Sequence, residues 1–353
     1  MFRNKSDEVM IRSVFMLFVA LAIFACQGNF SPEWNNVIEN NINDIFVEEV
    51  TSDILPLSRE MIHAKDLFVY NDSILVVLNN PTAKYCIQVY NIYSGNHISD
   101  LIRKGNGPKE MLLCRARIIE DNLYIRDFAK GNYTVINLPC LLKSTENYDV
   151  PEFKKYKEKF NIYDFLEVNN RILYLNPLCF EDINNKVDNH EPRLFYEGYT
   201  LSRNKFNTFN VSQGTLISND KDSLIVFASL NTNELEIYNY DLNPLIKVLG
   251  PTYFDVKYAY DGNHVSFKDN AYYGYQCIVT AGDTFWATYQ GALIDRAKQT
   301  YIIQYKWDGT IVRAMHSDKY LSTISLSSKG DKLYLRGKDD DGVVVLYIVN
   351  LAK

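Results

Sequence analysis

The sequence lacks the short motifs that mark common catalytic sites. It has no G-x-S-x-G nucleophile turn, no H-E-x-x-H zinc motif, no phosphate-binding glycine loop and no EF-hand loop. Histidine is scarce, and the five copies (His63, His97, His190, His264, His316) lie far apart. A fold that gathers distant segments can still bring them together. No C-x-x-C spacing occurs among the six cysteines, so neither a zinc site nor a disulfide framework is supported. Beyond Cys26 the cysteines are Cys86, Cys114, Cys140, Cys179 and Cys277, an odd number. Cys86 and Cys277 fall in strand-like runs, where cysteine acts as a small core hydrophobe. One disulfide is compatible with an oxidising compartment, but spacing does not pair it. No basic stripe appears: 37 basic and 43 acidic residues are well mixed, with a net charge of −6, which argues against nucleic acid. The acidic run Asp339-Asp340-Asp341 reads as a solvated turn. No metal and no cofactor are expected.

The apolar run Val14–Ala25 has 12 residues, too few for the roughly 20 that a membrane-spanning helix needs. With Arg12 before it, and Arg3 and Lys5 further upstream, it reads as a secretory signal. Met10 offers an alternative start. The run ends in Ile23-Phe24-Ala25-Cys26, which resembles a bacterial lipobox, with Phe24 departing from the usual residue. The organisation expected is a signal peptide over 1–25, a lipidated Cys26 and tether over 26–43, and one folded domain over 44–353. Lipidation would anchor the chain to a membrane without spanning it. The location expected is the bacterial cell envelope, as an outer-membrane lipoprotein facing the periplasm or the surface.

What the sequence has is a repeat. An Asp or Asn at a turn, followed by a hydrophobic strand, a polar gap and a second strand, recurs from Asp72, Asp121, Asn170, Asp222, Asp283 and Asp331. A period of roughly 50 residues in β-patterned units points to a propeller or solenoid. In the first unit, strands Leu67–Tyr70, Ile74–Leu78, Tyr85–Tyr90 and about 97–103 are joined by turn residues such as Asn71-Asp72-Ser73 and Tyr93-Ser94-Gly95-Asn96. Four antiparallel strands in such a length make one propeller blade. The fold predicted is an all-β, six-bladed β-propeller. The last unit lacks an outer strand, and an unpaired edge is an aggregation liability. Ile45–Val50 is predicted to pair with Val343–Val349 and close the ring. Two insertions, about 141–160 and 253–273, interrupt the pattern.

After the first unit comes Arg103-Lys104-Gly105-Asn106-Gly107-Pro108-Lys109-Glu110-Met111. This resembles the G-x-G-P-x-E-F/M signature of the TolB-like, six-bladed propeller lipoproteins of Bacteroidetes, with Lys109 where that family often has Gly. The resemblance implies an envelope-anchored propeller and brings no catalytic residues with it. The glycines permit positive φ and Pro108 stiffens the turn. Glu110 and the glycines either shape this crossing or, with Arg103 and Lys104, line a ligand site.

Residues at the ends of second strands and in the following loops should ring the same face. The candidates are Arg126, Asp127, Tyr289, Arg296 and Arg336, with Lys130, Asp295 and Lys338 nearby; as solvated loop ends they need no role, whereas arginine forks there would suit an anionic or polar ligand. The functional expectation is a non-catalytic, envelope-anchored propeller that binds an envelope protein, a peptide or a glycan. The alternative is a calcium-dependent hydrolase of the propeller lactonase or esterase type, whose metal would need oxygen ligands converging from several blades.

Overall fold

The computed structural model describes residues 34–144, 148–155, 163–176, 193–197, 213–254, 258–260, 265–267 and 271–351. The expected signal peptide and Cys26 lie outside these residues. The described chain is nearly all β, arranged as a six-bladed propeller. Blade 1 consists of Ala64–Tyr70, Ile74–Asn79, Tyr85–Asn91 and His97–Lys104, each antiparallel to the next. Blade 2 is built from Cys114–Ile119, Asn122–Asp127, Asn132–Asn137 and the short Lys154–Lys155. Its last strand follows a helix, Leu138–Lys143, so the first insertion lies within this blade. Blade 3 shows Asp164–Val168, Arg171–Leu175 and Leu194–Tyr196. Blade 4 runs Gly214–Asn219, Leu224–Ser229, Glu234–Asn239 and Pro244–Leu249; blade 5 runs Tyr272–Ala281, Thr284–Leu293, Thr300–Lys306 and Ile311–Ser317. Blade 6 contains Leu321–Leu326, Lys332–Lys338 and Val344–Asn350. The second insertion contributes a two-stranded hairpin, Tyr258–Tyr260 with Val265–Phe267. The first strands of the six blades neighbour one another around a closed ring.

The turn residues of the repeat explain the hairpins. Asn71 and Asp72 both take positive φ (47° and 54°), as do Asn169 and Asn170 (49° and 58°). Two successive left-handed residues match the twist of the flanking strands. The repeated acid also ties adjacent blades. Asp121 accepts a hydrogen bond from Tyr70 Oη of blade 1 at 2.5 Å. Asp72 accepts from the Ser328 N–H of blade 6 at 2.6 Å and from the Ser328 hydroxyl. Asp283 pairs with Lys221 of blade 4 at 2.7 Å.

The apolar core is split into layers, each between neighbouring blades. Leu78, Ile87 and Met111 of blade 1 and its exit meet Leu123 and Ile136 of blade 2. Phe165, Tyr174 and Phe195 fill the seam between blades 2 and 3 with Tyr124 and Phe128. Similar layers join blades 3 to 4, 4 to 5, 5 to 6 and 6 to 1. Second strands are covered on both faces, so Ile74–Asn79 is buried throughout and is hydrophobic up to its last residue, Asn79.

An N-terminal strand does pair in the last blade, but it is not the one expected. Asp53–Leu55 runs antiparallel to Val344–Asn350, with Leu55 opposite Leu346. Val47–Glu49, expected there, instead lies parallel to Ile311–Ser317 of blade 5. Its acids explain the choice. Glu48 receives Arg313 Nε and Nη2 at 2.9 and 2.6 Å, and Glu49 meets His316 Nδ1 at 2.9 Å. Further upstream, Asn36–Glu39 lies parallel to Pro244–Leu249 of blade 4. The stretch from Asn36, expected to be tether, is therefore hydrogen-bonded strand. The N-terminal segment runs along the rim and covers the outer edges of three successive blades.

Leu346 is fully buried in the seam between blades 6 and 1, where Leu55 and Leu57 pack. Leu346→Ala is expected to cost about 2–5 kcal/mol in equilibrium urea unfolding. An unchanged midpoint would show that this seam does not limit the stability of the ring.

Candidate functional site: the axial cavity

A cavity of about 1160 Å³ lies on the propeller axis, and the first strands of all six blades contribute to its wall. One cluster of its charged residues gathers where those strands begin, while Arg313, Lys329 and Asp331 line it elsewhere. Asp66 is third in Ala64–Tyr70, Arg115 and Arg117 are second and fourth in Cys114–Ile119, and Asp164 opens Asp164–Val168. Tyr163, Tyr273 and Tyr320 stand at the same ends of their strands, and all three line the cavity. Arg336 joins them from the second strand of blade 6, where it pairs with Thr323.

Part of this cluster is structural. Asp164 Oδ2 accepts from Arg117 Nη2 at 2.9 Å and from the Leu216 N–H at 3.0 Å; Arg117 Nη2 also donates to the Leu216 carbonyl at 3.0 Å. One ion pair thus joins blades 2, 3 and 4. The remainder is less committed. Arg115 donates through Nε to the Tyr163 carbonyl at 2.5 Å and stacks 4.5 Å above the Tyr163 ring. Arg336 Nη1 donates to the Ser322 hydroxyl. Among the described residues, Arg336 Nε, Gln276 Nε2, Thr215 Oγ1 and Thr323 Oγ1 are buried without a hydrogen-bond partner, and all four residues line the cavity.

Asp66 keeps some water-accessible surface, yet protein walls enclose it. Burial raises its pKa from the usual 3.8 to about 6; Asp164 adds to the rise, while Arg336 and Arg117 oppose it. Burial also pushes the Tyr163 and Tyr320 phenols up to about 12 and lowers the pKa of Arg336. The phenols therefore remain neutral hydrogen-bonding groups at neutral pH.

Arg336 is the one residue among the sequence candidates that lines this cavity. Asp127 is fully buried and accepts from the N–H groups of Leu112, Leu113, Ala129 and Lys130, fixing the crossing into blade 2. Arg126 is also buried; it donates to Tyr174 Oη at 2.6 Å and lies over the Phe165 ring, between blades 2 and 3. Tyr289 is buried against Tyr275 and bonds Thr252. Glu110 folds back to accept from the Gly107 N–H at 2.8 Å. A Cβ on Gly105 would meet Glu110 Oε2 at 2.2 Å, so the signature glycine makes room for this carboxylate. Lys104 Nζ donates to the Leu112 carbonyl at 3.2 Å. Arg103 and Arg296 are exposed at the surface. Arg115, Arg117, Asp66 and Asp164 were not singled out from the sequence. Their signal was charge within first strands, where a side chain either enters an interblade layer or faces the axis.

Calcium takes about six to eight oxygen ligands, rich in carboxylate. This cavity instead sets three carboxylates (Asp66, Asp164 and Asp331) among four guanidinium groups and two lysines, with Asp164 already bonded to Arg117 and Asp331 to the Ser327 hydroxyl. It is a poor donor set for the calcium-dependent hydrolase considered above.

No protein-family profile matches the chain, and neither does any curated protein sequence. The fold does match solved structures. An inferred exported protein of Bacteroides fragilis is 12% identical, with a TM-score of 0.54, over 90% of this chain and 99% of that one. A member of the DUF4221 family from Bacteroides vulgatus is 11% identical, with a TM-score of 0.52, over 86% and 98%. At these identities the likeness is one of fold.

An acid whose folded pKa lies above its unfolded value holds its proton more tightly when folded. Stability is therefore lost as pH rises from about 4 to about 6, and the loss persists above that window. Across it, the melting temperature of the wild type is expected to fall relative to that of Asp66→Asn. Parallel profiles would show that Asp66 ionises in the folded protein as it does in water.

Proposed function

We propose that the chain is an exported, lipid-anchored propeller that binds without catalysis, and that its axial cavity takes a polar ligand carrying an anionic group. The observation that carries this reading is the excess of guanidinium at the cavity wall. Arg117 and Asp164 neutralise each other and Arg313 is tied to Glu48, which leaves Arg115, Arg336, Lys65 and Lys329 against two carboxylates, Asp66 and Asp331. Guanidinium forks match carboxylate or phosphate oxygens and bind them more strongly than neutral donors do. At about 1160 Å³ the cavity is a little larger than most pockets that enclose small ligands, so a small ligand would fit with room to spare. Tyr163, Tyr273 and Tyr320 add flat apolar faces with hydrogen-bonding hydroxyls, which suit a sugar ring or a peptide segment.

Export and anchoring rest on the Val14–Ala25 run and Cys26. They agree with the inferred export of the Bacteroides fragilis protein that shares the fold. In such a setting the ligand classes at hand are acidic glycans and peptides with a free carboxylate.

Calorimetric titration of the protein with uronic-acid oligosaccharides and short peptides, each beside its neutral amide or methyl ester, tests the reading. The acidic form is expected to bind, and Arg115→Ala or Arg336→Ala to weaken it roughly 10- to 100-fold, the worth of one charge-assisted hydrogen bond. Equal binding of the neutral form, or full affinity in both variants, would overturn it.

A further inference from the structure

Outside the cavity, two thiols face each other across the seam of blades 1 and 2. Cys86 lies on the third strand of blade 1 and Cys114 opens the first strand of blade 2, and their Sγ atoms are 2.9 Å apart. Both are buried, at 0% and 6% exposure, within one apolar layer. We propose that Cys86 and Cys114 form a disulfide that staples blade 1 to blade 2. The inference is independent of the ligand assigned to the cavity.

The pair is held in place from both sides. Cys86 is in the middle of the blade 1 sheet, on Tyr85–Asn91. Immediately before Cys114, the N–H groups of Leu112 and Leu113 are fixed on the Asp127 carboxylate. A disulfide bond is about 2.05 Å long, so the sulfurs need to close by less than an ångström. The other two described cysteines, Cys140 and Cys277, have no such neighbour among the described residues. Cys140 is exposed, and Cys277 borders the cavity with its Sγ near the carbonyls of Ile278 and Ile324.

The local charge favours the exchange chemistry. Cys114 donates its S–H toward Cys86, and Lys104 Nζ stands 3.7 Å from Cys114 Sγ. Both groups favour the thiolate at Cys86, whose pKa is lowered for these reasons. The Cys86 thiolate attacks a disulfide donor such as oxidised glutathione and expels one thiolate. Cys114, losing its proton, then attacks the mixed disulfide and expels the second. One Sγ–Sγ bond forms, and the two electrons given up by the thiols reduce the donor to two thiols. Because the folded layer encloses both sulfurs, exchange accompanies the closing of blade 1 on blade 2, and the finished bond is shielded from reductant. The 28-residue span it closes contains the outer strand of blade 1 and the Gly105–Met111 crossing. Constraining such a loop in the unfolded chain stabilises the fold.

The test refolds the full chain with oxidised glutathione, alkylates free thiols in denaturant and maps tryptic peptides without reduction. The expected product is the peptide Tyr85–Arg103 joined to Glu110–Arg115, with urea unfolding at higher denaturant than in the reduced protein. That difference should vanish in Cys86→Ser and in Cys114→Ala. Recovery of the two peptides separately, each alkylated, would overturn the proposal. So would their linkage to any other cysteine, or equal unfolding of oxidised and reduced wild type.

Discussion

A ring of blades depends on its closing seam. Each layer of this core lies between two neighbours, so no blade is complete until the next has packed against it, and the last must find the first. Here the chain makes that meeting part of its own path. It pairs with blade 6 at Asp53–Leu55 and a few residues later starts blade 1 at Ala64. Leu55 and Leu57 enter the layer shared by these blades, and Val69 N–H reaches Ser325 Oγ across it at 3.0 Å. To separate the two blades, the chain would have to give up main-chain pairing and apolar burial together. The same segment lays strands on blades 4 and 5 before it arrives, which removes edges that would otherwise invite pairing with another chain.

The axis faces a different constraint. First strands bury their flanks between blades, but their inner surface meets a cavity too large to be filled by their own side chains. Polar groups are tolerated there only when paired or wet. Arg117 and Asp164 meet the first condition and become a tie among three blades. Asp66 does not, and its raised pKa is the energetic trace of a carboxylate held in an enclosed place with no bonded cation among the described residues. Keeping such a group ionised in the folded state works against stability.

Much of the architecture could be read in advance because it rests on local rules. The Asp and Asn residues at Asn71, Asp72, Asn169 and Asn170 marked hairpins through left-handed backbone, and the spacing of their repeats gave six blades. The need for an N-terminal closing strand followed from a missing edge. Its register did not, because Ile45–Val50 and Asp53–Leu55 are comparably strand-like, and only Arg313 and His316, more than 260 residues away, decide which one blade 5 takes. The cavity was harder to read for a similar reason. Arg126 and Asp127 sit at the end of a second strand, where a loop-facing role was expected. There, however, an inward turn of the side chain finds Tyr174 or the blade 2 crossing. Arg115 and Arg117, two residues apart on the same strand, carried the better signal, since alternation places both on one face.

The crossing between blades 1 and 2 shows why a signature need not mark a site. Glu110 holds the Gly107 N–H, and Lys130 Nζ bonds the carbonyls of Gly107 and Glu110, both at 2.6 Å. Asp127 holds the next two N–H groups. Glu110 of the motif is thereby spent on backbone, and the crossing delivers Cys114, Arg115 and Arg117 in register. Arg115 and Arg117 reach the axis while Cys114 faces the layer beside Cys86, so this one turn fixes both the cation wall of the cavity and the seam that supports it. A change within the motif would therefore be felt at the cavity wall although no motif residue lines the cavity.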